Sequence, residues 1–168
     1  MWDAFPDHAK YPTLRSLHNF IGGTLTKNIE VPGFGESGNT CGVRMSRALN
    51  YGALPISGKL VKSLGISTMT GGDGMLYIFR VRELKLYIRK VLSVTPIKET
   101  KTFGAAFASS KGIVAFDVSG WSDASGHVAL WDGTTFREPA HDDFRNQRDN
   151  PKTTIVEATT TSMTLWAL

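Results

Sequence analysis

The sequence predicts an α+β fold in one domain that spans residues 1–168. Apolar residues recur at helical spacing in the first half, whereas the second half carries β-type runs separated by turn signals. Neither an internal repeat nor a long linker divides the chain. This order along the chain, with helices first and antiparallel strands after them, predicts an α+β domain in which the N-terminal helices pack on an antiparallel sheet.

Three helices are predicted in the first half. The first covers residues 11–21, with Thr13 as its cap, and the glycine pair after it ends it. The second runs from Cys41 to about residue 50, and the third covers residues 81–92 with its basic side chains outward. Residues 24–31 are expected to be a connector and residues 53–60 a loop. Residues 64–75 carry four glycines, which predicts a mobile loop that adds little to a core.

The second half predicts four strands. Residues 112–118 form a β-type run that favours a central strand, and residues 127–131 follow after a loop. Asp132-Gly133 is a two-residue hairpin signal, so the chain is expected to return as a strand over residues 134–138. A last strand is expected over residues 162–168.

Composition excludes several classes of protein. The net charge of +4 favours polyanionic partners, but the basic residues form no block, so no nucleic-acid motif is indicated. No apolar run approaches the roughly 20 residues of a membrane span, and no export signal is recognised at the N-terminus. One cysteine excludes an internal disulfide. The four histidines and the cysteine lack metal-ligand spacing, so neither a metal nor another cofactor is expected.

Cys41 is the candidate nucleophile. It follows a Gly-rich loop over residues 31–39 and, with Asn39 or Thr40 as N-cap, falls in the first turn of a helix. The unpaired N–H groups and the dipole of that turn favour a thiolate, and the Cys41 N–H is a natural oxyanion donor. The alternative is that Cys41 is simply a small buried apolar residue.

His127 is the candidate base, because a histidine at the start of a strand can face a neighbouring helix terminus. If Asp132 and Gly133 form the turn, His127 lies opposite Glu138, roughly 5 Å away at Cβ, and Glu138 can orient the imidazole. Asp132 is the alternative acid, although its first role is in the turn. His141 lies with Asp142 and Asp143 in a polar loop, and the loop is expected to be solvated.

Several blocks resemble a known family. They are Asn-Thr-Cys-Gly-Val-Arg-Met-Ser at residues 39–46, Tyr-Ile-Phe-Arg-Val at residues 77–81, Gly-Ile-Val at residues 112–114 and Gly-Trp-Ser-Asp-Ala-Ser-Gly-His-Val-Ala-Leu-Trp-Asp-Gly at residues 120–133. The chain is similar over most of its length to the type VI secretion amidase effectors of the fourth family, and the last block is the most specific.

The resemblance implies a papain-like fold with a Cys-His-acid triad: Cys41 as nucleophile, His127 as base and Glu138 where relatives carry aspartate. It further implies delivery by the type VI secretion apparatus, without a signal peptide, into the periplasm of a target cell. There the enzyme cuts the bond between D-glutamate and meso-diaminopimelate in peptidoglycan peptides, unless a cognate immunity protein blocks it. Neither membrane insertion nor a nucleic-acid partner is expected. The alternative functions are a papain-like protease or deamidase that acts on proteins, and a non-catalytic basic module that binds the cell wall. Residues 64–75 and 141–152 are candidate gates of the cleft.

Overall fold

The structure is a computed structural model that describes residues 1–30, 38–107, 110–121, 125–147 and 157–168. It has helices in the N-terminal half and antiparallel strands in both halves, which confirms the α+β class. The chain divides into two compact units, Met1–Tyr87 and Ile88–Leu168. The single domain expected from the sequence stays a prediction.

The helices lie largely where the sequence predicts them. They are α1 (Leu14–Ile21), α2 (Thr24–Lys27), α3 (Cys41–Tyr51), α4 (Gly58–Ser63), α5 (Val81–Leu92) and α6 (Pro139–Asp142), with a 3-10 turn at Ala105–Phe107. Thr13 caps α1 through a reciprocal pair of hydrogen bonds with Ser16, as its position suggests. Two short helices, α2 and α4, occupy segments that were expected to be a connector and part of a loop.

The first unit contains a two-stranded antiparallel sheet that the sequence did not reveal. Strands β1 (Thr68–Thr70) and β2 (Leu76–Ile78) pair with Thr68 opposite Ile78. The prediction that residues 64–75 add little to a core is wrong, because Met69 is 5% exposed and packs in the apolar cluster of this unit. The buried members of that cluster are Leu17, Ile21, Leu25, Val43, Met69 and Tyr77.

The second unit is a four-stranded antiparallel sheet. Its strands are β3 (Ile97–Glu99), β4 (Gly112–Ser119), β5 (Gly126–Trp131) and β6 (Thr159–Ala167), in the order β3-β6-β4-β5. Strand β4 is central, as predicted, and pairs with both β5 and β6. The core of this unit is aromatic and aliphatic, with Phe107, Phe116, Ala129, Phe136, Met163 and Leu165 among its buried members.

The strand predicted over residues 134–138 does not form. Trp131 meets Phe136 in an isolated bridge, and the Arg137 N–H donates to the Leu130 carbonyl at 2.9 Å. Four residues therefore separate the paired positions rather than two. The cause is Asp132, whose carboxylate accepts from the backbone N–H groups of both Thr134 and Thr135 at 2.8 Å and so widens the turn.

Candidate active site

Cys41 is the first residue of α3, as the sequence predicts. It is a free cysteine, 3% exposed, and its backbone N–H donates to Oδ1 of Asn39 at 3.0 Å. This local turn closes the start of the helix from outside, as aspartate and asparagine commonly do. The N–H expected to be an oxyanion donor is therefore held by Asn39. Residues 31–37 of the preceding loop lie outside the described residues.

A stripe of small and polar residues, spaced four apart, docks α3 on β2. A Cβ on Gly42 would lie 2.7 Å from the Phe79 carbonyl oxygen, so only glycine fits without a shift. Ser46 Oγ donates to the Ile78 carbonyl and accepts from the Ile78 N–H, both at 2.9 Å. One turn further on, Asn50 Nδ2 donates to the Leu76 carbonyl at 2.8 Å. These hydrogen bonds pair backbone groups of β2 with side chains of α3, and they fix the position of the first turn of α3, which contains Cys41, relative to β2.

Arg44 ties the N-terminal segment to the same turn. Its side chain is fully buried, and its guanidinium donates to the carbonyls of Pro6, at 2.7 Å, and of Tyr11. Its Nε donates to Thr40 Oγ1 at 3.0 Å, beside Cys41. A planar guanidinium can serve several acceptors at once, which a lysine ammonium cannot match in fixed geometry. Arg44 thus positions the residue that precedes the candidate nucleophile.

His127 lies on β5, opposite Phe116 of β4. It is 6% exposed, and its ring lies 4.6 Å from that of Phe144, between centroids. Its Nε2 lies 2.8 Å from Asp142 Oδ1. Because a carboxylate accepts, Nε2 carries the hydrogen, and Nδ1 is the nitrogen that can exchange a proton elsewhere.

Asp142 lies in a segment that the sequence predicts to be a solvated polar loop. It ends α6 and is fully buried. Its Oδ1 accepts from His127, and its Oδ2 accepts from the backbone N–H of Glu138 at 3.1 Å. Both carboxylate oxygens are therefore engaged, which fixes the orientation of the imidazole in the way that a triad acid does.

The predicted pairing of His127 with Glu138 is wrong. The wider turn moves the return chain by two residues, and Glu138 becomes the N-cap of α6 instead of a strand residue. Glu138 contributes its backbone N–H to Asp142, so it supports the acid. Asp132 lies in the turn, where hydrogen bonds from Thr135 and then from Thr134 lower the pKa of its carboxyl.

The chain held one signal for Asp142 that was not used. Pro139 is the type of residue that opens a helix, and a helix starting there turns one of the following residues inward. Asp143, which follows Asp142 in the chain, instead makes a bidentate ion pair with Arg145, at 2.6 and 2.8 Å, and this ion pair lowers the pKa of Asp143. Of the two aspartates, only Asp142 is fully buried.

Two further classes of site do not occur in the described ranges. No three His, Cys, Asp or Glu side chains there are grouped to hold a metal ion. None of the helices in the part of the chain that the structure describes is long and apolar enough to cross a membrane.

Comparison with known proteins assigns the chain to a family. The family model described as type VI secretion system amidase effector protein 4 matches residues 37–166. A comparison with curated protein sequences found no significant match.

Solved structures of such effectors resemble the chain over nearly all of its length. The effector–immunity complex Tae4–Tai4 from Enterobacter cloacae matches with a TM-score of 0.76 at 29% identity, covering 99% of this chain and 94% of that one. The effector Tae4 from Salmonella typhimurium, in complex with the immunity protein of Enterobacter cloacae, gives 0.77 at 29%, covering 99% and 95%. The effector from Enterobacter cloacae alone gives 0.74 at 30%, covering 99% and 92%. The chain belongs to the type VI secretion system amidase effector 4 family.

Proposed function

We propose that this chain is an antibacterial cysteine amidase that hydrolyses the γ-D-glutamyl–meso-diaminopimelate bond of peptidoglycan peptides. Its family is one of amidase effectors. The observation that carries the proposal is the buried pair of His127 and Asp142, whose atoms Nε2 and Oδ1 lie 2.8 Å apart. A buried imidazole oriented by a carboxylate is what a cysteine nucleophile requires as its acid–base partner.

In the proposed mechanism, the Cys41 thiolate attacks the amide carbon and the His127 imidazolium protonates the leaving amine. The resulting thioester is hydrolysed by a water molecule that His127 deprotonates. Proton exchange takes place at Nδ1, because Nε2 is engaged with Asp142. Asp142 keeps the tautomer and stabilises the imidazolium, and residues 1–168 act as one papain-like domain.

The oxyanion of the tetrahedral intermediate needs N–H donors at the start of α3. In this proposal the Cys41 N–H exchanges Asn39 Oδ1, now at 3.0 Å, for the oxyanion. The Cys41 N–H then donates to a full negative charge instead of a neutral amide oxygen, which is the stronger interaction.

The setting follows from the family. We propose that the type VI secretion apparatus delivers the protein into the periplasm of a target cell, and that a cognate immunity protein blocks it. Two of the three solved structures named above contain an effector with an immunity protein, which in one of them comes from another bacterium. The net charge of +4 favours association with the anionic wall.

The test is mass spectrometry of purified muropeptides after incubation with wild type and with Cys41→Ala. Fragments that end in D-glutamate are expected from wild type alone. Because the sulfur is the nucleophile, the variant should lose at least about 10³-fold in rate while it keeps its circular dichroism spectrum. Intact muropeptides after wild-type treatment, together with cleavage of casein, would instead indicate a protease. Cleavage of muropeptides by Cys41→Ala would refute the nucleophile.

A further inference from the structure

An open cleft in the first unit has no part in the proposed chemistry. Its volume is about 220 Å³. The N-terminal segment forms one side, and α1 and α3 contribute the other. Its charged lining residues are Asp3, Asp7, Lys10 and Arg47, and its aromatic ones include Tyr11, Phe20 and Tyr51. We call it the N-terminal cleft.

The aromatic residues of the cleft form an ordered column. The rings of Tyr11 and Phe20 stack with centroids 4.1 Å apart, and the Arg47 guanidinium carbon lies 4.6 Å from the centroid of Phe20. On its other side Arg47 meets the ring of Tyr51 at 4.3 Å. Phe20 and Tyr51 are nevertheless 42% and 48% exposed. Because Arg47 joins the two rings, they form one contiguous exposed patch rimmed by polar residues, which is the kind of surface that marks a binding site.

Asp73 fixes the side chains of this column through hydrogen bonds. It accepts from the hydroxyls of Tyr51, at 2.9 Å, and Tyr77, at 2.6 Å, and from Arg47 at 3.4 Å. Partial burial acts to raise the pKa of Asp73, but the hydrogen bonds from Tyr77, the Met75 N–H and Tyr51 outweigh it and keep that pKa low. The carboxylate therefore stays charged, and Tyr51 is oriented before any ligand arrives, which reduces the cost of binding.

The chemistry of the lining selects a neutral ligand with many hydroxyl or amide groups. Two carboxylates and two cations line the cleft, so neither an anion nor a cation is favoured. Carboxylates accept from hydroxyl and amide N–H groups, and lysine and arginine donate to oxygen. An aromatic ring packs well against the C–H face of a sugar. The volume is below the roughly 300–1,000 Å³ of sites for drug-sized ligands, and suits one sugar ring.

The position of the cleft relative to Cys41 fits the substrate of the proposed function. Arg47 follows Cys41 by six residues on α3, which is a rise of about 9 Å along the helix and a rotation of about 240° around it. The axial component alone equals roughly two to three extended residues, and the path around the helix adds to it. In peptidoglycan, the sugar that carries the stem peptide lies two residues before the bond named above.

We propose that the N-terminal cleft binds an N-acetylated sugar of the peptidoglycan glycan strand, with the ring of Tyr51 against the face of the sugar. The inference rests on the proposed function for the identity of the polymer, and it assigns to the cleft the selection of glycan-linked peptides over free ones.

The test measures binding and catalysis separately. The binding probe is the pentamer of N-acetylglucosamine, titrated against the Cys41→Ala protein by NMR. Saturable shifts at the cleft are expected. Adding Tyr51→Ala should weaken binding at least about tenfold, whereas Tyr51→Phe, which keeps the ring, should bind within about twofold. Leu86→Ala removes an apolar side chain that is also exposed, at 39%, but lies outside the lining, and it should change nothing.

For catalysis, Tyr51→Ala on the wild-type background should slow release of peptides from intact sacculi at least about fivefold, and leave hydrolysis of a sugar-free stem peptide unchanged. Equal losses on both substrates, or unaltered pentamer binding by Tyr51→Ala, would overturn the inference. The inference would also be overturned if a substitution in the N-terminal cleft abolished inhibition by the immunity protein but left pentamer binding intact, because the cleft would then be a protein interface. A wild type that binds the pentamer but cleaves neither substrate would refute the amidase proposal alone.

Discussion

At the scale of single residues, the acid beside His127 shows how far one turn can move a site. Counting pairs from Asp132-Gly133 placed Glu138 opposite His127, but the carboxylate of Asp132 accepts three hydrogen bonds from Thr134 and Thr135 and widens the turn. Glu138 then caps a helix, and Asp142 takes the position beside the imidazole. The presence of an acid was predictable from the chemistry, whereas its place depended on local hydrogen bonds that pattern counting does not include.

Replacing Asp142 by asparagine should lower kcat by roughly 10²–10⁴-fold, because the amide no longer stabilises the imidazolium and can favour the wrong tautomer. Glu138→Gln should stay within about threefold of wild type, since Glu138 supplies a backbone N–H that the substitution retains. Both variants are compared by muropeptide hydrolysis, with thermal melts as a control for folding. The reverse ranking would restore Glu138 as the acid.

At the scale of elements, α3 was predicted nearly to the residue, and its contacts were not. The spacing of its apolar residues, such as Val43 and Leu49, predicts both the helix and the face that is buried. The stripe of Gly42, Ser46 and Asn50 is polar or small, so it carries no signal in a hydrophobic pattern. Its partner strand β2 has three residues, as do β1 and β3, which is too short for a clear alternation.

Ser46→Ala should destabilise the first unit, because it leaves both the N–H and the carbonyl of Ile78 without the hydroxyl that they share. A loss of about 1–3 kcal/mol in the free energy of unfolding is expected, together with a lower activity as the Cys41 turn shifts. Urea unfolding gives the first quantity.

The matched control for this element is Ser63→Ala. Ser63 is exposed at the end of α4 and donates only to the Leu60 carbonyl. Its removal should cost less than about 0.5 kcal/mol. Equal effects of the two alanine variants would mean that the Ser46 bridge does not hold α3 on β2.

At the scale of the whole molecule, two compact units with separate apolar clusters divide the sequence near residue 87. The class and the long elements were readable because their apolar periods are strong, as in α5 and β4. The boundary between the two units could not be predicted, because the apolar periodicity of α5 continues through it without a break. His18 belongs to this scale, because its titration bears on the free energy of unfolding.

Stability is expected to fall as the pH drops from about 7.5 to about 5.5, partly through His18. Burial lowers the pKa of His18, although its Nδ1 donates to the Leu25 carbonyl at 3.1 Å. The unfolded chain, whose His18 pKa is near 6.5, therefore binds a proton that the folded chain resists, and the folded state loses free energy as the pH falls.

The variant His18→Asn can keep a donor near Leu25 but does not titrate. Its free energy of unfolding should decline less than that of wild type over the same interval, as measured by urea unfolding at each pH. The difference between the two proteins removes the contribution of the other histidines. Parallel pH profiles would show that His18 charges as readily in the folded as in the unfolded chain.

The solitary thiol has a practical consequence for quantitation. Cys41 is the only cysteine in the sequence, and it begins the helix on which the proposed chemistry depends. A thiol-directed alkylating agent can therefore modify the sulfur of one residue alone. The stoichiometry of labelling counts the molecules whose Cys41 is reduced and reachable. Residual activity plotted against label incorporated gives the specific activity per competent enzyme, without a second preparation of known purity.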